Sequence, residues 1–463
     1  MLQNTFYGLL KNSACLYPDN TAILYDTYAI TYSELFRDAC KKAIHFSQFD
    51  KKRIALIGPA SYRWIVNFFG AILAGKDVVL MDSFLEGAER RILLDKVNPD
   101  YILTSTMQYI MADSSFEIIP NISHDEKNRD EFSFDPYEVP EGRIIFFTSG
   151  TSELAKAVIL TSAGLNFSTS LVPSRIDCSD RDRVLSVLPL NHAFSLVYSI
   201  LWPLSCGACV CISRGIKHIG FDTIYYMPTI LPIVPALLEG LIHLNSLNEE
   251  LNTIVIGESF CPLNIIKELE ERSYDVYSVY GLTAAASGFA VASKDTGYEL
   301  VPYKNIEICI SKDDEILIKS PGVMIGYDND EEATAAVLTD GYLRSGDLGH
   351  LTEDGHLIIT GSKKNILALP NGEKINCLEA EEFFNSLDHI KESALGILHG
   401  ASTIWISTDS DKFTNETARH IIDVYNKSRS VSRHIIHFVI IRSPLPKDNT
   451  GHIDREALTE IQE

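Results

Sequence analysis

Three times along the chain a short apolar run, a helix-length stretch and a second apolar run follow one another. RIALIG (53–58) leads to a helical pattern from Tyr62 to Ala74, then Gly75 and DVVLMD (77–82). RVLSVLPL (183–190) leads through FSLVYSILWPL to ACVCIS (208–213), and LNTIVIGE (251–258) leads through a helical region ending at Arg272 to DVYSVYG (275–281). Each is a strand–helix–strand unit, in which the helix carries the chain back so that the two strands lie parallel. The repetition predicts an α/β protein whose sheets are largely parallel and covered by helices.

After about residue 300 the texture changes. IEICIS, DEILIKS and HLIITGS alternate apolar and polar residues, with turns at Lys312-Asp313-Asp314 and Glu353-Asp354-Gly355. That is the pattern of a small antiparallel β subdomain. SKKN follows the last of these strands and a helical LEAEEFFNSL comes next, so a boundary is expected near Gly361. A chain of 463 residues is too long for one ordinary core. The expected architecture is a large N-terminal domain, 1–361, with two layered α/β sheets plus the β subdomain, and a small α+β C-terminal domain, 362–463.

The net charge of −22 argues against a nucleic-acid partner, which needs a basic surface. An anionic small ligand must therefore be met by local lysines and backbone N–H groups. The first residues, MLQNTFYGLLKNSACLYPDN, have no basic segment ahead of an apolar stretch, and the most apolar helical run, Arg63 to Gly75, is too short to span a bilayer. Nine cysteines in this length are too sparse for a disulfide framework, so a reduced, cytoplasmic location is expected. Cys206, Cys209 and Cys211 raise the question of a metal. No fourth ligand is near, and the apolar context GACVCIS reads as buried strand cysteine.

One loop points to chemistry. In FFTSGTSELAKAVILT (146–161) a row of hydroxyls surrounds one glycine and one lysine, between a strand at Arg143–Phe147 and another beginning at Val158. The P-loop of nucleotide triphosphatases requires a second glycine and a Lys-Ser/Thr pair opening a helix. Here Ala155, Lys156 and Ala157 stand at that distance from Gly150, so the P-loop reading fails. Hydroxyls and backbone donors can still wrap phosphate, with Lys156 as a point charge.

The loop resembles the phosphate-binding signature of the acyl-adenylate-forming superfamily, which includes acyl-CoA synthetases, carrier-protein ligases and luciferases. Against the family's TSGTTGxPKGV, this chain matches at Thr148, Ser149, Gly150, Thr151, Ser152 and Lys156. Further family motifs follow in order. LPLNHAFS (188–195) resembles the segment whose histidine, here His192, lies near the acid with Phe194, and GES (257–259) the strand end where Gly257 flanks the acyl group and Ser259 the adenine. YGLT (280–283) resembles the segment of the adenine-stacking tyrosine, so Tyr280 and Gly281 are implied to meet the nucleotide and Thr283 the α-phosphate and magnesium. The run from Pro321 to Gly361 is the strongest match, and within it Asp347 stands for the aspartate that accepts both ribose hydroxyls. Lys364 matches the hinge about which a mobile C-terminal domain turns. Taken singly, each motif could be an ordinary turn, loop or core histidine.

The resemblance implies an AMP-forming ligase that uses ATP and Mg2+ to join a carboxylic acid to the thiol of coenzyme A or an acyl carrier protein. ITGSKKNILALPNGEKINCLEAEE (359–382) is most similar to fatty-acid ligases, which implies a fatty or other apolar acid. Four positions depart from the family. Glu153 replaces a loop glycine, Ala284 a glutamate that ligates magnesium, and Ser362 an arginine that holds ribose. His452, in TGHIDR, replaces the lysine that bridges carboxylate and α-phosphate, and is mostly neutral at pH 7 given a reference pKa of about 6.5. Lys156, Thr283 and His452 are thus the implied catalytic groups, with Lys447 and Lys363 the nearby lysines that could supply missing charge. The alternative to an active ligase is a catalytically degenerate relative that binds an acyl group, a nucleotide or a partner protein.

Overall fold

The computed structural model describes residues 5–50, 52–83, 85, 87–104, 117–120, 139–148, 155–259, 261–363, 366–368, 374–427, 434–447 and 453–461. All three strand–helix–strand units are present in them. The first pairs Arg53–Ile57 with Asp77–Met81 in parallel across the helix Tyr62–Leu73. The second pairs Arg183–Ser186 with Cys209–Ile212, and the third Thr253–Ile256 with Asp275–Leu282. Every residue of 77–81 and 253–256 is buried, as expected of parallel strands with helices on both faces.

These units build two sheets. One has nine strands in the order 301–302, 287–292, 275–282, 253–256, 230–233, 183–186, 209–212, 21–25 and 28–31. Its six central strands, 275–282 through 21–25, are parallel, and antiparallel strands close both edges. The other has seven strands in the order 326–327, 157–161, 143–147, 77–81, 53–57, 101–104 and 117–120, the last five parallel. The β subdomain is an antiparallel sheet of 307–310, 315–319, 342–351 and 338–339, with 357–362 paired to 342–351.

Two details differ from the sequence pattern. The strand expected over 183–190 ends at Ser186, ahead of Pro189, which has no N–H for a sheet. The helix after it is an α turn over Ala193–Leu196, a π-helical stretch over Val197–Leu201 and another α turn over Trp202–Cys206. Of the CGACVC cysteines only Cys211 is fully buried, Cys206 and Cys209 being half-buried. Among the described residues no group of three His, Cys, Asp or Glu side chains could hold a metal ion. Nor is any helix among them long and apolar enough to cross a membrane.

The described residues within 377–461 gather around apolar clusters of their own, one with Phe384, Leu395 and Tyr425, the other with Trp405, Val439 and Leu458. The clusters of the larger part draw on residues 6–357.

Asp77 anchors the strand Arg143–Phe147 that leads to Thr148. Its buried carboxylate accepts from the Arg143 backbone at 3.0 Å and from the Arg143 guanidinium at 2.5–3.2 Å. Burial alone would raise the Asp77 pKa, but the Arg143 bonds outweigh it and hold the carboxyl below the usual range. A depressed carboxylate stabilises the fold above its unfolded-state pKa, and that contribution disappears as pH falls through the folded-state value. Asp77→Asn is therefore expected to lower the urea midpoint at pH 7, with the gap to the native chain narrowing below about pH 4. A gap of constant size down to pH 2.5 would contradict this.

Candidate active site

Parallel strands present their carboxyl ends along one edge, and in open α/β sheets ligands bind in the crevice outside that edge. Three of the segments singled out in the sequence meet there because neighbouring strands run the same way. His192 lies past the end of 183–186 and opens the following helix, Gly257, Glu258 and Ser259 follow 253–256, and Tyr280 to Thr283 complete or follow 275–282. His192 Nδ1 sits 3.6 Å from Glu258 Oε1. Three of the non-glycine residues with positive φ lie at this edge: Glu258, Ala286 and Ser287 hold φ values of 67°, 55° and 85°, a region that costs a non-glycine residue roughly 1–3 kcal/mol. Such outliers concentrate at active sites and ligand clamps.

The β subdomain contributes Asp347 from its 342–351 strand. Tyr280 donates its hydroxyl to Asp347 Oδ2 at 2.5 Å, joining two residues from different sheets. Burial, with the Asp347 carboxylate beside it, pushes the Tyr280 phenol far above its usual range, so the hydroxyl remains a donor. The Tyr280 ring is set edge-on to Phe289 at 4.7 Å. Gly281 has no room for a side chain, since a β-carbon there would lie 2.1 Å from the Ser287 carbonyl oxygen. Thr283 and Ala284 are half-buried, and Ala284 offers no side-chain oxygen.

Beneath Asp347 lies Glu315, 3% exposed. It accepts from the Gly346 N–H at 3.0 Å and from Lys363 at 2.9 Å, and pairs with Arg344. Lys363 also reaches Asp313 at 3.2 Å. The bond to Glu315 holds the Lys363 ammonium above its ordinary pKa. Lys447 is engaged too, with Glu392 at 2.7 Å. Both lysines considered as sources of missing charge are thus paired with carboxylates. Ser362 stands opposite Asp347 and gives its hydroxyl to the Gly346 carbonyl at 3.2 Å.

The strands 143–147 and 157–161 pair antiparallel, and Thr148 and Lys156 at their ends are joined by mutual bonds. Thr148 N donates to the Lys156 carbonyl at 2.9 Å, and Lys156 N donates to Thr148 Oγ1 at 3.0 Å. Thr148 keeps its own hydroxyl proton for another acceptor. Lys96, from the helix Gly87–Val97, donates to the Ala155 carbonyl. The Lys156 ammonium lies over the Tyr327 ring at 4.8 Å. Tyr327 is itself fixed: Asp328 N donates to the Ala157 carbonyl at 2.7 Å, and Arg53 grips the Asp328 carboxylate at 2.7 and 2.9 Å. Ser149, Gly150, Thr151, Ser152, Glu153, Lys364 and His452 lie outside the described residues.

The family model of the AMP-binding enzyme matches residues 10–328, more than half of the chain. The chain belongs to the AMP-binding enzyme family. Among its sequence relatives are a 2-succinylbenzoate–CoA ligase of Bacillus subtilis, 26% identical with 83% of this chain and 84% of the relative covered, and a long-chain-fatty-acid–CoA ligase of the same species, 24% identical with 98% and 94% covered. In fold it is similar to the o-succinylbenzoate CoA synthetase of Bacillus subtilis in complex with its acyl-adenylate intermediate, with a TM-score of 0.83, 21% identity and 98% of each chain covered. The same synthetase is known in complex with ATP and magnesium ion; that structure has a TM-score of 0.82, 22% identity and 97% and 98% coverage. As an AMP-binding enzyme the chain is an α/β protein of this fold, and its relatives by name are CoA ligases.

Sequence reasoning missed the supporting residues of this AMP-binding enzyme. Tyr327 and Asp328 sit inside the family-like run yet carried no assigned role, because a cation–π contact leaves no spacing signature. Glu258 was quoted within GES, but its approach to His192 depends on sheet order. Glu315 falls on the Leu317 and Lys319 side of DEILIKS, opposite the buried Ile316 and Ile318, so its burial has no signal in the alternation.

Proposed function

We propose that this chain activates a carboxylic acid with Mg–ATP to give an acyl-adenylate and pyrophosphate, then passes the acyl group to the thiol of coenzyme A, releasing AMP. The observation that carries the reading is the union of Tyr280 and Asp347 at 2.5 Å, at the strand edge where His192 and Glu258 also meet. Tyr280 Oη occupies Asp347 Oδ2, and Oδ1 has no hydrogen bond among the described residues, so it is open to a cis-diol. The Tyr280 face, set by Phe289, suits a flat base. Lys156 and the Thr148 hydroxyl suit phosphate oxygens. His192 and Phe194 bound the acid, with Gly257 behind them.

The residues fit a nucleotide better than a resident metal. Thr283 supplies one hydroxyl and Ala284 nothing, so magnesium arrives as part of the ATP complex, where phosphates provide most of its oxygens. In the first step a carboxylate oxygen attacks the α-phosphorus and the bond to pyrophosphate breaks. The chain's part is positioning and charge stabilisation, with Lys156 holding the departing phosphates. In the second step the thiol sulfur attacks the acyl carbon, AMP leaves, and one proton is released. Residues 1–361 form the adenylating body and 362–463 the lid that turns about Lys364.

Coenzyme A is the proposed acceptor because the relatives are CoA ligases by name; an acyl carrier protein is the alternative acceptor. The acid is apolar, and the relatives do not favour a fatty one, since they include ligases of 2-succinylbenzoate and indoleacetate. The degenerate, non-catalytic reading draws support from Ala284 and Ser362, both lacking the family's functional group. ATP–pyrophosphate exchange over a panel of aromatic and aliphatic acids decides between them. The native chain is expected to exchange with at least one acid, and Lys156→Ala to lose about 10²-fold or more, as when a preorganised transition-state donor is removed. Silence across the whole panel would sink the ligase.

A further inference from the structure

The helix Ile219–Tyr226 has its polarity reversed. Its buried residues are Ile219, Asp222, Thr223 and Tyr226, spaced i, i+3, i+4 and i+7 along one face, and that inward face holds the helix's aspartate and threonine. Both are fully bonded there. The Asp222 carboxylate accepts from Ser213 Oγ at 2.7 Å, from the Arg214 N–H at 2.9 Å and from Arg214 Nε at 2.8 Å. Thr223 gives its hydroxyl to the Ser246 carbonyl at 2.6 Å, and the Tyr226 oxygen accepts from the Asp26 N–H at 2.9 Å. The outward face is Phe221, Ile224 and Tyr225, which are 59%, 61% and 47% exposed. A surface helix ordinarily turns its apolar stripe to the core and its polar residues to water.

The outward face continues beyond the helix. Phe221 and Tyr225 stack with ring centroids 5.9 Å apart, and the exposed Met227 follows at the helix end. Tyr225 and Met227 border a cleft of about 440 Å³, whose other wall is Leu24, Asp26 and Thr27 from the hairpin of strands 21–25 and 28–31. Tyr28, also exposed, stands on the far side of that hairpin turn. With roughly 150–250 Å² for a whole aromatic side chain, and somewhat less for an aliphatic one, the exposed parts of these five side chains come to about 500 Å². That lies toward the upper end of the largest apolar patch on a typical monomer, roughly 300–600 Å². It is also well over half of the roughly 800 Å² that each partner contributes to a standard interface.

Two features say what covers it. Protruding rings and an open cleft lie side by side on one face, which lets two copies related by a twofold axis fill each other. The cleft also carries both signs of charge, Asp26 on the hairpin and Arg183, whose Nε donates to the Met227 carbonyl at 2.9 Å. A twofold can set such a pair against itself in opposite order, whereas an anionic lipid surface favours an apolar face with a basic surround. We infer that this face joins two copies of the chain in a symmetric dimer, with Phe221, Ile224 and Tyr225 at its centre. The strand 28–31 beside it is the last of the nine-stranded sheet and is uncharged, so no charge repulsion arises along that edge. The strand 21–25 lies five strand spacings, about 24 Å, from 275–282, so the dimer leaves the nucleotide-facing edge open.

Sedimentation velocity of the full chain, from about 1 to 200 µM, tests this. The native chain is expected to move from its 51.6 kDa monomer to twice that mass, with a Kd of about 10 µM or tighter. Ile224→Lys is expected to keep the monomer's thermal midpoint, since the side chain is exposed, and to weaken the dimer by about 30-fold or more, as when a central anchor is lost. Tyr225→Ser is expected to act in the same direction and serves if the lysine variant does not fold. A native chain that stays monomeric at about 200 µM would overturn the inference. So would a dimer that neither folded variant weakens, because its interface would then lie elsewhere. A monomer that cosediments with phosphatidylglycerol–phosphatidylcholine vesicles, and loses that in Ile224→Lys, would assign the face to a lipid surface and overturn it equally.

Discussion

Asp347→Ala is expected to lower kcat/KM for ATP in the exchange reaction by about 10²–10³-fold, leaving the folded chain intact. The carboxylate is half-buried, with Tyr280 on one oxygen and the other open. A hydrogen bond to a charged acceptor contributes roughly 1.5–3 kcal/mol, so at the lower end of that range losing the bonds to two ribose hydroxyls amounts to about 3–4 kcal/mol. At about 1.4 kcal/mol per decade, that is the stated factor. Tyr280→Phe separates this from a packing effect. It removes only the donor to Oδ2 and keeps the ring against Phe289, so a loss of less than about 10-fold is expected. Comparable losses in the two variants would mean that Asp347 serves Tyr280 and not the nucleotide.

The second large effect concerns stability. Glu315→Ala is expected to cost about 2–3 kcal/mol in urea denaturation, because Arg344, Lys363 and the Gly346 N–H all lose an acceptor that is 3% exposed. The figure is below the roughly 3–5 kcal/mol of a fully buried pair because Arg344 and Lys363 are 31% and 37% exposed and can turn to water. Gly346 adjoins Asp347, so the same variant should also weaken ATP, and Glu315→Gln should restore part of the affinity by accepting again from Gly346. A Glu315→Ala chain as stable as the native one would show that this carboxylate's desolvation offsets its pairing.

Much of the fold was legible because it rests on periodicity. The runs 53–57, 77–81, 253–256 and 275–282 are apolar strands separated by helix-length stretches, and each sits where the pattern put it. The site was legible as a set of positions but not as a geometry. Tyr280 and Asp347 were singled out from separate motifs, and nothing in either motif says that their side chains touch. The sequence presents Lys156 as a point charge for phosphate, whereas its perch on Tyr327 comes from a strand pairing between 326–327 and 157–161 that spans distant sequence. Lys363 and Lys447 looked available because sequence proximity says nothing of Glu315 and Glu392.

What the sequence by itself determined is the layered α/β plan, the antiparallel subdomain and the inventory of candidate site residues. Those follow from local hydrophobic pattern and from residue chemistry, which the chain carries wherever it goes. Only the tertiary structure decided which of those side chains meet and which lysines are paired with carboxylates. Phe194 and Tyr198 press on Gly257 and Gly288, a fit between a helix and strand residues that are remote in sequence. Close packing of that kind has no period to read. It exists only when two surfaces are brought within van der Waals distance, and there the absence of two β-carbons matters as much as the presence of two rings.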